Sequence, residues 1–198
     1  MTGMDSFPAY FPLAGRKVVI VGSDVQAEGK ARLFEGSPAE LVRIDDGRAL
    51  DPDTYRGAAL VFISGEDEAF ARMAAQAARE AGAPVNVVDR PELCDFFTPA
   101  LVDRGEVVAA VGTGGASPVL AQMLKQRIEA GVPEGAGRLA ALLRQFRDAV
   151  RQAFPDIGER AAFMRQVLDG PAAKAALDGD MDAARKLMRQ AVQEARGR

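Results

Sequence analysis

Three short, largely apolar runs limit this chain's fold more than any other feature. KVVIVG (17–22), AALVFIS (58–64) and VNVV (85–88) have too few polar positions for strands with one wet face. Such runs read as strands covered on both sides, and hence as a parallel sheet flanked by helices. AELVRI (39–44) and EVVAAV (106–111) read as two more strands, the latter expected to complete the sheet beside Val85–Val88. Helical patterns fill Ser23–Phe34 and Glu68–Ala81, and Gly82 and Pro84 stop the second. Strands alternating with helices define an α/β fold with right-handed crossovers.

The pattern then changes. Ser117 and Pro118 open a helix to Ala130 whose Val119, Leu120, Met123, Leu124 and Ile128 form a wide apolar face. GVPEGAG (131–137) is a break, and the chain beyond it reads as helical over 138–154, 159–168, about 172–177 and 181–196. At the other end, Phe7, Tyr10 and Phe11 lack helical period and are expected to cover a sheet edge.

Composition excludes several functions. The chain has 198 residues, a net charge of −3, one cysteine (Cys94) and no histidine. General attraction to nucleic acid is not expected, nor is an internal disulfide or a multi-cysteine zinc site. Acid–base chemistry must fall to carboxylates, hydroxyls, lysine or backbone. No apolar run approaches the roughly 18 residues of a bilayer span, and the N-terminus lacks signal-peptide character. A cytoplasmic protein with no membrane partner and no resident metal is expected.

In open α/β sheets, ligands bind beyond the carboxyl ends of the strands. The turn after the first strand, Gly22-Ser23-Asp24-Val25-Gln26-Ala27, compares with the dinucleotide pattern G-x-G-x-x-G/A. Gly22 and Ala27 fit, and Asp24 replaces the second glycine. A one-residue shift would instead leave Gln26 as an extra residue in the first helical turn. Both alignments are open, and either loses a glycine. About 20 residues on, where an acid can bind the ribose hydroxyls of NAD, stand Asp45 and Asp46, equally readable as a solvated Asp-Asp-Gly turn.

VNVVD (85–89), CDFFTPALVDRG (94–105) and VAAVGTGGASPVLAQMLKQRIE (108–129) together carry a resemblance. They resemble the precorrin-2 dehydrogenase/sirohydrochlorin ferrochelatase family, the N-terminal module of siroheme synthases. The likeness runs from Phe7 to about Val132, with a weaker echo in the helical tail. It implies a Rossmann-like parallel sheet followed by a helical dimerisation and capping region. Residues 1–112 would be the NAD-binding domain, 113–136 a dimerisation segment and 137–198 a C-terminal helical domain. The implied activity is NAD-dependent oxidation of precorrin-2 to sirohydrochlorin by a homodimer. Insertion of Fe²⁺, as substrate, is left open. A chelatase or tetrapyrrole-binding homologue without the oxidation, a non-catalytic dimeric binding protein and an ordinary small-molecule dehydrogenase are the alternatives. Family members often carry a fused methyltransferase, so methylation is expected from another protein.

The resemblance assigns Asp89 as catalytic acid–base residue. From the residues alone it is a strand-end carboxylate, expected to be part-desolvated, or else a turn cap before Pro91. Gly22, Ser23, Asp24, Val25, Asp45, Asp46 and Ser64 are the expected cofactor contacts. Ser64 begins Ser-Gly-Glu-Asp where the family has Ala-Thr-Asp-Asp. Asn86, Thr113, Gly114 and Gly115 are the expected substrate contacts. From the residues alone Asn86 reads first as a pin for its neighbouring loop and second as a substrate contact, and Thr113 equally as a turn residue. Asp103 and Arg104 read as an ion pair bracing their loop, and Cys94 as a small loop residue. Arg138, Arg144, Arg147 and Arg151 form a stripe that is either a wet helix face or a grip for substrate carboxylates.

Overall fold

The computed structural model describes residues 3–196. It divides into two units, one running to Pro99 and including Gly114–Ala116, the other formed by Ala100–Thr113 and the chain from Ser117 onward.

In the first unit, β1 (Lys17–Val21), β2 (Glu40–Ile44), β3 (Ala58–Ile63) and β4 (Val85–Val87) form one sheet in the order β2-β1-β3-β4. Every pairing is parallel, with Val21 opposite both Ile44 and Ile63. Alternation along the strands separates two cores. Val19, Val21, Val61, Ile63, Val85 and Val87 face one side with the alanines of α2 (Glu68–Glu80). Val18, Ile20, Leu60 and Phe62 face the other, against Ala27 and Ala31 of α1 (Val25–Arg32). Each fully buried Val or Ile contributes about 1.5–3 kcal/mol, which is why the central strands β1 and β3 show no polar face. Between β2 and β3 the chain has two 3₁₀ turns, Gly47–Leu50 and Pro52–Tyr55. Buried Tyr55 anchors them, its hydroxyl donating to the Ala49 carbonyl at 2.6 Å.

α1 is shorter than its sequence pattern, because Asp24 caps it and Ser23 stays outside. Phe7, Tyr10 and Phe11, expected to cover a sheet edge, keep much of their surface in solvent. All three are exposed, Phe7 at 81%.

EVVAAV also departs from expectation. β6 (Val107–Val111) pairs antiparallel with β5 (Ala100–Arg104), in a hairpin separate from the parallel sheet. The cause is the turn chemistry of Asp103-Arg104-Gly105. Gly105 has φ +75°, and its N–H donates to Asp103 Oδ1 at 2.7 Å. Arg104 meets Asp103 only at its backbone carbonyl, at 3.1 Å, and not through the expected ion pair. Its guanidinium reaches Glu129 at 3.3 Å and Glu134 at 3.0 Å.

The rest of the second unit is helical: α3 (Pro118–Gly131), α4 (Ala136–Ala153), α5 (Ile157–Leu168), α6 (Pro171–Asp178) and α7 (Met181–Arg196). α4 to α7 share a core that includes Leu142, Phe146, Phe163, Ala176 and Met188. Gly137 lets α4 meet the hairpin backbone, since a Cβ there would collide with the Arg104 carbonyl. α3 buries only Ala121, and Val119, Leu120, Met123 and Ile128 stay exposed. No helix among the described residues is long and apolar enough to cross a membrane.

Candidate active site

Strand order places the candidate site. From β1 the chain goes to β2 on one side, while β3 and β4 lie on the other, so the order of the connections reverses between β1 and β3 although the strands stay parallel. Ligands gather at the carboxyl ends beside such a reversal. Gly22, Ser23, Asp24 and Val25 stand at the end of β1, Ser64 at the end of β3 and Asp89 beyond β4. Backbone bonds tie these ends together. Gly22 N–H donates to Ile44 O (2.7 Å), Ser64 N–H to Val21 O (2.9 Å) and Val88 N–H to Ile63 O (2.9 Å).

Asp24 is the N-cap of α1. Its Oδ1 accepts the Ala27 N–H at 2.7 Å, and the buried Ser64 hydroxyl donates to its two oxygens at 2.8 and 2.9 Å. The Ala27 N–H, with help from Ser64, holds its carboxyl below the ordinary 3.8 despite some burial. Val25 is almost wholly exposed.

Asp89 is the only non-glycine residue with positive φ among the described residues, at +59°. Its side chain is exposed rather than part-desolvated. Gln26 Nε2 donates to its Oδ2 at 2.8 Å. One helical turn further along α1, Lys30 Nζ donates to Thr98 Oγ1 at 2.9 Å and lies over the Phe62 ring. Burial pushes the Lys30 amine down, while the charges of Cys94 and Asp89 oppose that. Arg90 fixes the other side of the loop, its guanidinium donating to the Gly65 and Glu66 carbonyls at 3.0 Å each.

Gln26, Lys30 and Arg90 escaped the sequence reading. The first two lie four apart on α1 and so share a face, the one signal that could have marked them.

Asn86 is buried beneath this edge. Its Nδ2 donates to Phe96 O at 2.9 Å, pinning the loop, and its Oδ1 has no partner among the described atoms. Cys94 accepts the Val87 N–H at 3.2 Å, and burial pushes its thiol up, so it is not poised as a nucleophile.

Asp45 and Asp46 follow β2, at the neighbouring end. Asp46 caps the first 3₁₀ turn and pairs with Arg48 at 3.0 Å. Asp45 makes no hydrogen bond or ion pair among the described residues, which leaves it the available carboxylate.

Thr113 belongs to the second unit. Its hydroxyl is engaged by the Ser117 backbone, accepting N–H at 3.3 Å and donating to O at 3.1 Å. Gly114 and Gly115, with φ +60° and +81°, group with the first unit. The arginine stripe is divided. Arg138 donates to the Ala176 and Leu177 carbonyls at the end of α6, and Arg144 pairs with Glu106 at 3.0 Å. Arg147 and Arg151 instead join Arg160 around a cavity of about 280 Å³ floored by Leu143, Val150 and Met164. Among the described residues, no group of three or more His, Cys, Asp or Glu could hold a metal ion.

Residues 9–100 match a family model described as NAD(P)-binding, and residues 135–192 match the sirohaem synthase dimerisation region. Siroheme synthase from Azotobacter vinelandii is 38% identical over 204 residues, covering 93% of this chain and 44% of that protein. Siroheme synthase from Methylococcus capsulatus is 40% identical over 182 residues, covering 92% and 37%. The chain belongs to the siroheme synthase family. It spans less than half the length of these curated relatives. In fold it is similar to the solved structure of SirC, precorrin-2 dehydrogenase, with a TM-score of 0.73 and 16% identity over 95% of this chain and 100% of that one.

The site fits a nicotinamide dinucleotide unevenly. The turn after β1 and the spacing of Asp45 are those that an adenosine ribose would need, though the charge of Asp45 also acts on Arg48. The start of α1, where the diphosphate of such a cofactor is held, is filled by Asp24.

Proposed function

We propose that this protein is a cytoplasmic precorrin-2 dehydrogenase that forms sirohydrochlorin with NAD⁺ and works as a homodimer. The observation that carries the reading is Asp89. Its left-handed backbone costs of order 1–3 kcal/mol, a strain that persists only where the surroundings impose it and that clusters at functional sites. Here it turns a carboxylate outward beside the dinucleotide turn, and Gln26 holds it there.

A bound nicotinamide supplies hydride acceptance. The chain's own share is proton removal and positioning. Asp89 Oδ1 or Oδ2 takes the proton released as precorrin-2 is oxidised, while the Gln26 amide fixes the carboxylate's direction. Asp45 accepts the ribose hydroxyls and disfavours a 2′-phosphate, hence NAD over NADP. Asn86 and the Thr113-Gly114-Gly115 turn are the substrate contacts in this reading. If Fe²⁺ insertion follows, Asp89 would receive the pyrrole protons as well.

The test is NADH formation, followed with the sirohydrochlorin spectrum, on mixing purified protein with precorrin-2 and NAD⁺. The wild type should yield both products. Asp89→Asn should slow the reaction at least ~100-fold. A wild type that forms neither, or an Asp89→Asn variant with full activity, overturns the assignment. Adding Fe²⁺ and sirohydrochlorin in a second cuvette tests the chelatase alternative.

A further inference from the structure

A helix N-cap needs one acceptor for one N–H. Asp24 does more than that. Oδ1 takes the Ala27 N–H, and the hydroxyl of Ser64, from a strand two connections away, lies within 2.9 Å of both oxygens. Ser64 is buried at 4% exposure, so its hydroxyl has no ready alternative in solvent. The Gln26 N–H also contributes to holding the Asp24 carboxylate charged. The result is a negative group bound where the first turn of α1 offers its N–H groups and the positive end of its dipole. This is the seat that the middle glycine of G-x-G-x-x-G/A leaves open for a diphosphate.

We propose that Asp24 is a built-in competitor for the cofactor's diphosphate, latched in that seat by Ser64 and Ala27, so that a dinucleotide binds only by displacing it. The inference rests on the dehydrogenase reading, since it concerns the same cofactor. It identifies Asp24 as a residue that weakens cofactor binding, rather than a contact that strengthens it.

Two like-charged groups cannot share one set of N–H donors. For the diphosphate to enter, the Asp24 side chain must rotate away, giving up Ser64 and Ala27. Oxidised and reduced cofactor carry the same diphosphate, so the latch weakens both equally. It sets how fast cofactor exchanges, not which redox form is preferred. At neutral pH the carboxylate stays charged, so the latch is always on and is not a pH switch.

The test compares binding of NAD⁺, ADP-ribose and adenosine to the full chain by calorimetry, for wild type, Asp24→Asn and Ser64→Ala. Asparagine caps a helix about as well as aspartate, so Asp24→Asn removes the charge and keeps the cap. A melting curve for each variant confirms folding. The expected result is NAD⁺ and ADP-ribose binding tightened roughly 10-fold by Asp24→Asn, a smaller gain from Ser64→Ala, and adenosine binding unchanged. Equal or weaker NAD⁺ binding by a folded Asp24→Asn overturns the latch, as does an equal gain for adenosine, which would signal a general reshaping. Precorrin-2 turnover on the same samples separates the two readings. Unchanged NAD⁺ affinity with turnover intact removes the latch alone. No NAD⁺ binding and no turnover in any variant removes the dehydrogenase reading with it.

Discussion

Gln26 and Asp89 are 63 positions apart in the chain and 2.8 Å apart in space. One hydrogen bond to a charged group contributes about 1.5–3 kcal/mol, less where solvent can substitute. Gln26→Ala should therefore lower kcat for precorrin-2 oxidation by roughly 10-fold while leaving KM for the tetrapyrrole nearly unchanged. Glutamate in place of Gln26 would set two carboxylates face to face and should cost more. Steady-state kinetics decides, and unchanged kcat in both variants would mean that Asp89 needs no support from α1. Asp24 invites a second measurement. Its folded value is held below 3.8, so its stabilising share is present above that value and lost as pH falls through the lower folded one. In acid denaturation, the advantage of wild type over Asp24→Asn should hold at pH 5 to 7 and shrink below about pH 4. Asp24 and Asp89 were visible in the sequence because they follow apolar strands. Gln26, Lys30 and Arg90 were not, because their partners arrive through tertiary folding, and the only local trace is the spacing of Gln26 and Lys30 on one face of α1.

The elements of the sheet could be read because burial on both faces writes a run of apolar residues, unbroken in β3, preceded by one lysine in β1 and interrupted by Asn86 in β4. β6 carries the same signature and has a different fate. EVVAAV follows Asp-Arg-Gly by one step, and that turn folds it back on β5 before it could reach the parallel sheet. Composition of the strand could not reveal this; the glycine before it could. The two 3₁₀ turns between β2 and β3 were likewise hidden, since their anchor is the burial of one tyrosine. The contact of α4 with the hairpin yields a prediction at this scale. Gly137→Ala forces a methyl group against the Arg104 carbonyl, where rigid backbone rather than a mobile side chain must move. Overpacking of this kind costs about 1–3 kcal/mol. Urea unfolding should show that loss, and a variant as stable as wild type would mean that α4 can shift away without penalty.

For the whole molecule, association is the property that one chain cannot display. The match to the dimerisation region covers 135–192, and the exposed Val119, Leu120, Met123 and Ile128 lie outside it, on α3. A row of large apolar side chains left in water is unusual in a monomer and suits an interface. Leu120→Glu combined with Ile128→Glu should convert a dimer to a monomer in sedimentation, with α/β circular dichroism retained. A dimeric mass for the double variant would assign the interface to α4–α7 alone. Connectivity adds one more consequence. The chain leaves the first unit after Pro99, returns to it at Gly114 and leaves again after Ala116. A single recombination crossover in the gene can therefore never exchange one unit whole. A junction at Pro99 would strand the Gly114–Ala116 turn with the wrong parent, and a junction after Ala116 would carry the hairpin across with the sheet. Chimaeras between relatives should therefore fold best when residues up to Pro99 and Gly114–Ala116 come from the same source.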